Sequence, residues 1–399
     1  MSGGTGARGA IDADDLRVAL FYHSLVSDWN HGNAHFLRGV ASELRSRGAH
    51  VTVFEPRDGW SRRNLIADHG EAPLAAFARA YPGLRSVAYD PGQLDAELDA
   101  MLEGVDLVLV HEWNEPSLVA RIGRHRQRAR SYRLLFHDTH HRAVTAPDAM
   151  AAYDLGGYDG VLAFGDVLRD LYLREGWAPR AWTWHEAADT RVFAPRPPPA
   201  EGARGDLVWI GNWGDEERSD ELREYLLEPV RALGLAARAH GVRYPPHARR
   251  ALSEAGIVSR GWLPNHLVPD AFAQHRVTVH VPRRPYVRAL PGIPTIRPFE
   301  ALACGIPLVC SPWDDVEGLF SAGVDYLVAE DGSAMRRHLR AIVADDDLAN
   351  ELAANGRRTI LHRHTCGHRV DELLTIAAGL GVRGRTTRSA VGRAEVPAP

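Results

Sequence analysis

Residues 291–313, PGIPTIRPFEALACGIPLVCSPW, contain the most specific pattern in this chain. A loop rich in glycine and proline leads to Pro298, a residue type that the first turn of a helix tolerates well. Gly305 follows the helical run EALAC and is typical of a helix end. We therefore predict a loop that opens directly into a helix, followed by a short buried strand at residues 307–310.

The start of this helix has the properties of an anion-binding site. Unpaired backbone N–H groups and the helix dipole both favour negative charge at a helix N-terminus. Glu300, near the start of the helix, is placed to accept two neighbouring hydroxyl groups, as on a ribose. The groups that we expect around the anion are the amides of Ile293, Thr295 and Ile296, the Thr295 hydroxyl and the Arg297 guanidinium. An ordinary capping loop, with Glu300 on the helix dipole, is the alternative.

The composition indicates the class of protein. The 399 residues include 47 basic and 51 acidic side chains, with a net charge of −4, and 45% are hydrophobic. This predicts a soluble globular protein of two domains, with no electrostatic reason to expect a nucleic-acid partner. No apolar stretch approaches the length of a membrane span, and residues 1–10 contain no apolar targeting segment. Together with three sparse cysteines, this leads us to expect a cytoplasmic protein with reduced thiols.

Lysine is absent, so all 47 basic residues are arginine. Schiff-base chemistry and a P-loop both need a lysine amine and are excluded. Any phosphate that this protein binds must be held by arginine, helix N-termini or backbone amides.

Short apolar runs alternate with helix-like segments, which is typical of parallel sheets covered on both faces. Four prolines within residues 193–199 predict an interdomain linker. The predicted strands are residues 16–22, 50–54, 105–110, 132–136 and 160–163, then 206–210, 236–242, 277–281, 307–310 and 326–328; the predicted helices include 33–47, 221–233, 333–343, 348–358 and 365–378. The predicted organisation is a disordered leader at 1–15, a first domain at 16–193, a linker at 194–205, a second domain at 206–381 and a disordered tail at 382–399. The last helix of the second domain is able to cross back to the first domain.

Residues 300–307, EALACGIP, resemble the donor-site signature of GT-B glycosyltransferases of the family-4 type. The PTIRPFE form of the preceding loop and the RHTC segment at 363–366 are similar to the spore-maturation-protein (CgeB-like) branch of those enzymes. The resemblance extends over most of residues 16–380 and is more specific in the second domain. It implies an α/β chain with the GT-B fold, in which two doubly wound Rossmann-like domains face a central cleft.

The resemblance also implies roles for residues of the second domain. Glu300 would hold the nucleotide ribose, while Gly292 stands where the family often has a glutamate that contacts the sugar. Residues that would contact the diphosphate or the base are Gly211, Arg218, Arg243 as a weaker alternative to Arg218, and Trp262 and Leu263. Arg218 could instead be a solvated partner of Glu217 or Glu221, and Trp262 could be plain core.

In the first domain, the resemblance places His137 beside the donor sugar, because it follows the strand at residues 132–136. Asp138 and Glu112 also leave strand ends and are the other candidate catalytic groups, with a structural histidine as the alternative for His137. Gly32 matches the family's glycine loop between donor and acceptor.

These observations predict a retaining glycosyltransferase that uses a nucleotide-diphosphate sugar, with uridine as the expected base. The sequence offers groups that stabilise a leaving diphosphate, and the resemblance points to no dedicated base or nucleophile among His137, Asp138 and Glu112, so we expect same-face substitution. We expect no metal and no cofactor besides the donor substrate, and the acceptor is unidentified. The alternatives are a sugar-nucleotide epimerase on the same fold and a two-domain sugar- or nucleotide-binding protein without catalysis.

Overall fold

The computed structural model describes residues 11–198, 204–214 and 216–383. Within these ranges the chain forms two α/β units, each built on a parallel sheet, and the predicted fold class is confirmed. The strands of the first unit are β1 (Arg17–Phe21), β2 (His50–Pro56), β3 (Ser86–Tyr89), β4 (Leu107–His111), β5 (Arg133–Asp138), β6 (Gly160–Ala163) and β7 (Ala181–Thr183). Those of the second are β8 (Gly205–Ile210), β9 (Ala237–His240), β10 (Ile257–Ser259), β11 (His275–His280), β12 (Leu308–Cys310) and β13 (Leu327–Val328).

Helices cover both faces of each sheet. The first unit contains α1 (Ala34–Ser46), α2 (Trp60–His69), α3 (Ala72–Ala80), α4 (Leu94–Met101), α5 (Pro116–Ala129), α6 (Arg142–Thr145), α7 (Pro147–Ala151) and α8 (Asp166–Arg174). The second contains α9 (Ser219–Leu222), a π-helical turn (Arg223–Leu227), α10 (Glu228–Leu233), α11 (Pro246–Glu254), a 3-10 turn (Asn265–Leu267), α12 (Val268–Ala273), α13 (Arg284–Ala289), α14 (Ile296–Cys304), α15 (Gly332–Ala344), α16 (Asp346–Arg363) and α17 (Cys366–Gly379). Among these helices, none has both the length and the apolar character that crossing a membrane requires.

The first sheet has the order β3-β2-β1-β4-β5-β6-β7, and the second has the order β10-β9-β8-β11-β12-β13. Successive residues of a strand point to opposite faces, so Val18 and Leu20 of β1 enter one core cluster while Ala19 and Phe21 enter the other. All four side chains are buried because helices cover both faces. This explains why the central strands are continuous apolar runs in the sequence.

The last helix, α17, packs on the first unit although it follows the second unit in sequence. Its apolar side chains, including Val370 and Leu373, join the first-unit core together with α1. Gly39 of α1 permits the close approach, since a Cβ there would lie 2.4 Å from Sγ of Cys366. The two units are therefore joined through α17 as well as through the chain after Phe193.

Three strands have no counterpart among the predicted ones: β3, β7 and β10. Each is three or four residues long and partly exposed, so none produces a continuous apolar run. The predicted helix at 221–233 is instead α9, the π-helical turn and α10, because Pro229 has no N–H to continue the α-helical ladder.

The predicted disordered ends fall largely outside the described residues, at 1–10 and 384–399, as does part of the linker, at 199–203. The described parts of these ends pack against the fold, which differs from the prediction. Ala13 and Val382 are 2% and 8% exposed and belong to the first-unit core.

Candidate functional site

A cleft of about 1180 Å³ separates the carboxyl edges of the two sheets. Parallel strands bring their C-terminal ends to one edge, so loops that are distant in sequence converge there. Of the predicted donor-site residues, those that border the cleft are Gly32, Gly211, Arg218, Arg243, Trp262, Leu263, Thr295, Ile296 and Arg297. In the described part of the chain, no group of three or more His, Cys, Asp or Glu side chains is arranged to hold a metal ion.

Arg218 is a buried guanidinium on the second-unit wall, with 8% exposure. Nη1 donates to the carbonyl of Val281 at 2.6 Å, Nη2 donates to the carbonyl of Asn212, and Nε has no partner. Glycine at position 211 leaves room for the Arg218 side chain, because a Cβ on residue 211 would come within 3.2 Å of Nη2. The side chain is thus held by neutral carbonyl groups, which leave its positive charge uncompensated.

The alternative partners of Arg218 are engaged elsewhere. Glu217 pairs with Arg283 at 3.1 Å, and Glu221 pairs with Arg284 at 3.2 Å. No carboxylate in the described ranges forms a salt bridge with Arg218, whose pKa is lowered from 12.5 to about 9 by burial and by Arg283. A buried cation that lacks a counter-ion and borders a cleft is suited to bind an anionic ligand.

The N-terminus of α14 lies on the same wall. Thr295, its N-cap, has φ 61° and ψ −180°, a conformation that is strained for any residue with a side chain. Its hydroxyl lies 3.4 Å from Nε2 of His280, and its backbone leads into the first-turn amides of Ile296 and Arg297. Gly32 of the first unit faces this turn, since a Cβ there would lie 3.6 Å from Cγ2 of Ile296. The predicted anion loop therefore borders the cleft as a strained helix start.

Glu300 does not border the cleft, which differs from its expected position beside a ribose. Its side chain is fully buried, with Oε1 accepting from Nδ1 of His35 at 3.0 Å and the other oxygen paired with Arg297. Nε2 of His35 accepts the backbone N–H of Asp189 at 2.8 Å, so the proton must be on Nδ1. The reason for the difference is domain packing: α1 covers the carboxylate, and Glu300 connects Arg297 to the first unit.

Gly292 also lies away from the cleft, at a contact between the two units. A Cβ at this residue, where φ is +86°, would lie 2.7 Å from Oε1 of Glu317. That oxygen accepts the backbone N–H of Asp166 at 2.9 Å, while Oε2 pairs with His185 at 2.6 Å. The absence of a side chain at Gly292 thus leaves room for Glu317 to join the units.

Ile293 differs from its expected role in the same way. Its side chain is 2% exposed and belongs to a first-unit core cluster. It packs closely on Gly165: a Cβ added to Gly165 would lie 2.4 Å from Cγ1 of Ile293. Its backbone N–H donates to the carbonyl of Leu290 at 3.3 Å. Because this amide already has an acceptor, it is not free to bind an anion.

Trp262, Leu263 and Arg243 border the cleft from loops of the second unit. Trp262 donates from Nε1 to Asp28 of the first unit at 3.0 Å, so it is a contact between units as well as a cleft residue. The guanidinium of Arg243 lies 5.9 Å from the ring of Trp60. Trp262 and Leu263, the residues expected at the base, thus lie at the cleft together with Arg243, the weaker candidate for the diphosphate.

His137 and Asp138 lie inside the first sheet, which corrects their expected position in the cleft. The strand predicted at residues 132–136 continues to Asp138, because His137 pairs with Leu162 and Asp138 pairs with Ala163 of β6. Each of the two side chains is 1% exposed. The residues that reach the cleft are the next ones, Thr139 to His141.

Each enclosed side chain has a local role that its burial explains. His137 contacts the ring of Trp184 at 4.8 Å, its Nε2 has no partner, and burial lowers its pKa to about 3. Asp138 accepts from the backbone of His140 at 3.0 Å and from the Tyr172 hydroxyl at 2.8 Å. Burial raises the pKa of Asp138 to about 6. Neither can touch a ligand in the cleft as the side chains stand.

Glu112 is likewise fully buried and does not border the cleft. It pairs with Arg142, and one carboxylate oxygen accepts from Oγ1 of Thr139 at 3.5 Å. Burial and the nearby Asp138 raise its pKa, and Arg142 offsets part of that effect. Glu112 therefore holds Thr139 and Arg142 in the wall.

Several cleft residues were not found from the sequence, among them His23, His31 and His280. The available signal was a polar residue at or just beyond the end of a buried strand: His280 is the last residue of β11, and His23 follows β1 by two residues. Recognising it requires the strand ends to within one residue, which sequence patterns rarely give.

The comparisons with known proteins agree with this architecture. Residues 218–375 match a family model described as glycosyl transferase-like. That segment begins at Arg218 and includes all of α14. A comparison with curated protein sequences gives no significant match.

Solved structures match nearly the whole chain. Sucrose-phosphate synthase from Thermosynechococcus elongatus is 16% identical with a TM-score of 0.62, covering 92% of this chain and 99% of that one. A glycosyltransferase from Rickettsia africae is 10% identical with a TM-score of 0.65, covering 93% and 100%. HepE from Anabaena, solved in complex with UDP-glucose, is 12% identical with a TM-score of 0.65, covering 92% and 100%. The chain therefore has the GT-B fold, and its second unit is glycosyltransferase-like in sequence.

Proposed function

We propose that this protein is a retaining glycosyltransferase that moves a sugar from a uridine-diphosphate sugar to an acceptor hydroxyl. The observation that carries the proposal is Arg218, a buried guanidinium at the edge of the cleft that forms no salt bridge with a carboxylate of the described residues. A cation in that state costs the fold free energy unless an anion binds beside it. A diphosphate that leaves during transfer is such an anion.

The α14 N-terminus adds positive potential on the same wall, and Arg297, which pairs with Glu300, offers hydrogen-bond donors beside it. Donors that are already oriented towards the place where charge develops lower the barrier without further reorganisation. We assign the diphosphate to the space bounded by Arg218, Arg297 and the amides of α14, and the base to the side of Trp262 and Leu263. The complex of HepE with UDP-glucose, a protein of the same fold, supports uridine diphosphate as the first donor to test.

Retention of the anomeric configuration is supported by the burial of the two carboxylates that the sequence made candidates for catalysis. Glu112 and Asp138, the leading carboxylates for a base or a nucleophile, are enclosed in the first unit. An inverting enzyme needs a base on the face opposite the leaving group, and a double displacement needs a carboxylate at the anomeric carbon. We therefore propose same-face substitution, in which the departing diphosphate oxygen takes the proton of the acceptor hydroxyl.

We also propose that no metal ion takes part, because arginines and the helix dipole can supply the positive charge. The donor test is a thermal-shift series with UDP, UDP-sugars and other nucleotide sugars, repeated with EDTA. UDP should stabilise the protein equally with and without EDTA. A series in which no nucleotide stabilises it would refute the donor assignment.

Turnover distinguishes transfer from epimerisation. UDP release from the donor should increase when an acceptor is added, whereas an epimerase would interconvert nucleotide sugars without releasing UDP. NMR of the first-formed product should show the anomeric configuration of the donor. The opposite anomer would reject same-face substitution.

A further inference from the structure

Two neighbouring imidazoles on the first-unit wall each have a ring nitrogen that no group of the described residues satisfies. Nε2 of His31 and Nδ1 of His23 are buried without a hydrogen-bond partner, and both residues border the cleft. His31 is 6% exposed, and the two ring centroids are 4.0 Å apart. A buried polar atom without a partner is unfavourable, so these nitrogens are placed to bond a ligand group.

The cleft-lining imidazoles of this wall differ in their bonding: Nδ1 of His140 and Nε2 of His141 are also buried without a partner, whereas the neighbouring His111 is satisfied. Its Nδ1 accepts the backbone N–H of Trp113 at 3.4 Å, which leaves the proton on Nε2. Nε2 in turn donates to Oγ1 of Thr139 at 3.1 Å. His111 is therefore fully bonded within the protein, unlike His31 and His23.

Trp113 extends this part of the wall with an exposed ring. It is 41% exposed, borders the cleft and lies 6.3 Å from His23 between ring centroids. The edge of His140 packs on it at 4.8 Å, and Arg142 lies 4.5 Å from its ring centroid. An indole in this position offers an apolar surface on which the C–H groups of a ring-shaped ligand can rest.

The two histidines are uncharged. Burial lowers the pKa of His23 to about 3 and that of His31 well below 6.5. A neutral imidazole has one nitrogen that donates and one that accepts, as a hydroxyl group does. The pair therefore matches hydroxyl groups better than a carboxylate or a phosphate.

Charge on the same wall points in the same direction. Arg142, next to Trp113, is neutralised by Glu112. Asp58 and Glu115 are exposed carboxylates that border the cleft and repel an anion. Arg63 is an exposed cation that would attract one, and the other cation, Arg121, is paired with Asp95 at 3.7 Å. A comparison of neutral and phosphorylated sugars tests whether the two arginines outweigh the two carboxylates.

We propose that His31, His23 and Trp113 form the acceptor subsite and that the acceptor presents an uncharged, ring-shaped polyol, as a carbohydrate does. Its ring would rest on Trp113, and two of its hydroxyls would bond to Nε2 of His31 and Nδ1 of His23. This inference rests on the proposed glycosyltransferase function and adds to it the place and chemical class of the acceptor.

The test measures binding of sugars to the full chain saturated with UDP, by ligand-observed NMR. The probes are glucose, maltose and fructose, compared with glucose 6-phosphate and fructose 6-phosphate. Neutral sugars should bind at least about tenfold more tightly than their phosphates. Tighter binding of the phosphates, or no binding of any neutral sugar, would overturn the proposal.

Variants locate the subsite. His31→Ala and Trp113→Ala should each weaken sugar binding by about 3- to 10-fold, the effect of one lost contact, and leave the UDP affinity within about twofold. His31→Gln, whose amide can reach the position of Nε2, should recover part of the loss and controls for misfolding. His362→Ala, an exposed histidine on α16, is the matched control and should change neither affinity.

Failure of this proposal is distinguishable from failure of the proposed function. If the wild-type chain binds UDP but His31→Ala binds sugars as the wild type does, the subsite is wrong and the donor site stands. If the wild-type chain does not bind UDP at all, the glycosyltransferase proposal fails and the acceptor subsite fails with it.

Discussion

Replacing Arg218 with methionine should affect stability and ligand binding very differently. The lowered pKa of Arg218, from 12.5 to about 9, means that the folded state disfavours the charged guanidinium. For a base whose folded pKa lies below its unfolded pKa, this cost is fully present at pH values below the folded pKa, including pH 7.5. A shift of that size corresponds to about 5 kcal/mol of lost stability, which the methionine variant would recover.

The substitution also removes hydrogen bonds. The carbonyls of Val281 and Asn212 would lose their donors, at about 1–3 kcal/mol each if they stay buried and unpaired. The two effects nearly cancel. We expect the free energy of unfolding without ligand to change by between a loss of about 1 and a gain of about 3 kcal/mol, although a buried side chain is replaced.

Ligand binding should instead suffer clearly. At a UDP concentration of 100 times the wild-type dissociation constant, the wild type should gain about 2.7 kcal/mol of stability. Losing a charge-assisted contact of about 1.5–3 kcal/mol should reduce that gain to about 0.3–1.3 kcal/mol. Chemical denaturation with and without UDP measures both quantities, and inorganic pyrophosphate should show the same difference.

Arg284→Met is the matched control, because Arg284 pairs with Glu221 and does not border the cleft. Its gain from UDP should equal that of the wild type. If the free energy of unfolding of Arg218→Met is several kcal/mol below that of the wild type, yet UDP stabilises the variant fully, then Arg218 is a structural residue and the diphosphate assignment is wrong.

Three further predictions test the surroundings of the cleft. Thr295→Gly relieves a φ of 61° and should be more stable than Thr295→Ala, which keeps the strain, by about 1 kcal/mol in urea denaturation; equal stabilities would show that the residue is unstrained. His35→Ala removes the imidazole that bonds the Glu300 carboxylate and should lower the free energy of unfolding by about 3 kcal/mol. A double-mutant cycle with Glu300→Gln should show a coupling energy above about 1 kcal/mol, whereas additive effects would argue against the pair. The pKa of Asp138 is raised to about 6, so ionising this carboxyl makes the folded state less stable as the pH rises from about 4 to 6. Over that range the unfolding free energy of Asp138→Asn should rise by up to about 3 kcal/mol relative to the wild type, and the difference should stay constant above pH 6. A difference that does not change with pH would contradict the burial effect.

Short-range features were predictable from the sequence because their causes lie within a few residues. The central strands were found as apolar runs, and β6 has the predicted bounds, residues 160–163. The helix predicted at 33–47 is α1, one residue shorter at each end, with its apolar face buried. The loop that leads into α14 was found because glycine, proline and a following helix produce an anion-binding terminus locally.

Features that depend on pairing between strands were not predictable to the needed accuracy. The end of β5 is decided by its hydrogen bonds to β6, which extend to Asp138. Two further residues of pairing move His137 and Asp138 from the cleft into the core and bring Thr139 to His141 to the edge. No local pattern in residues 132–141 distinguishes these outcomes.

The sequence by itself determined two α/β units, a glycine- and proline-rich loop that opens into α14, and arginine as the only cationic side chain besides histidine that a phosphate can meet. The tertiary structure alone decided which side chains reach the cleft and which are covered. Glu300 and its partner His35 are 265 positions apart, and Glu317 fills the space beside Gly292 from a different loop. Such contacts arise where the loops of two separate sheets meet, and their partners are therefore set by the geometry of the whole molecule rather than by neighbouring residues.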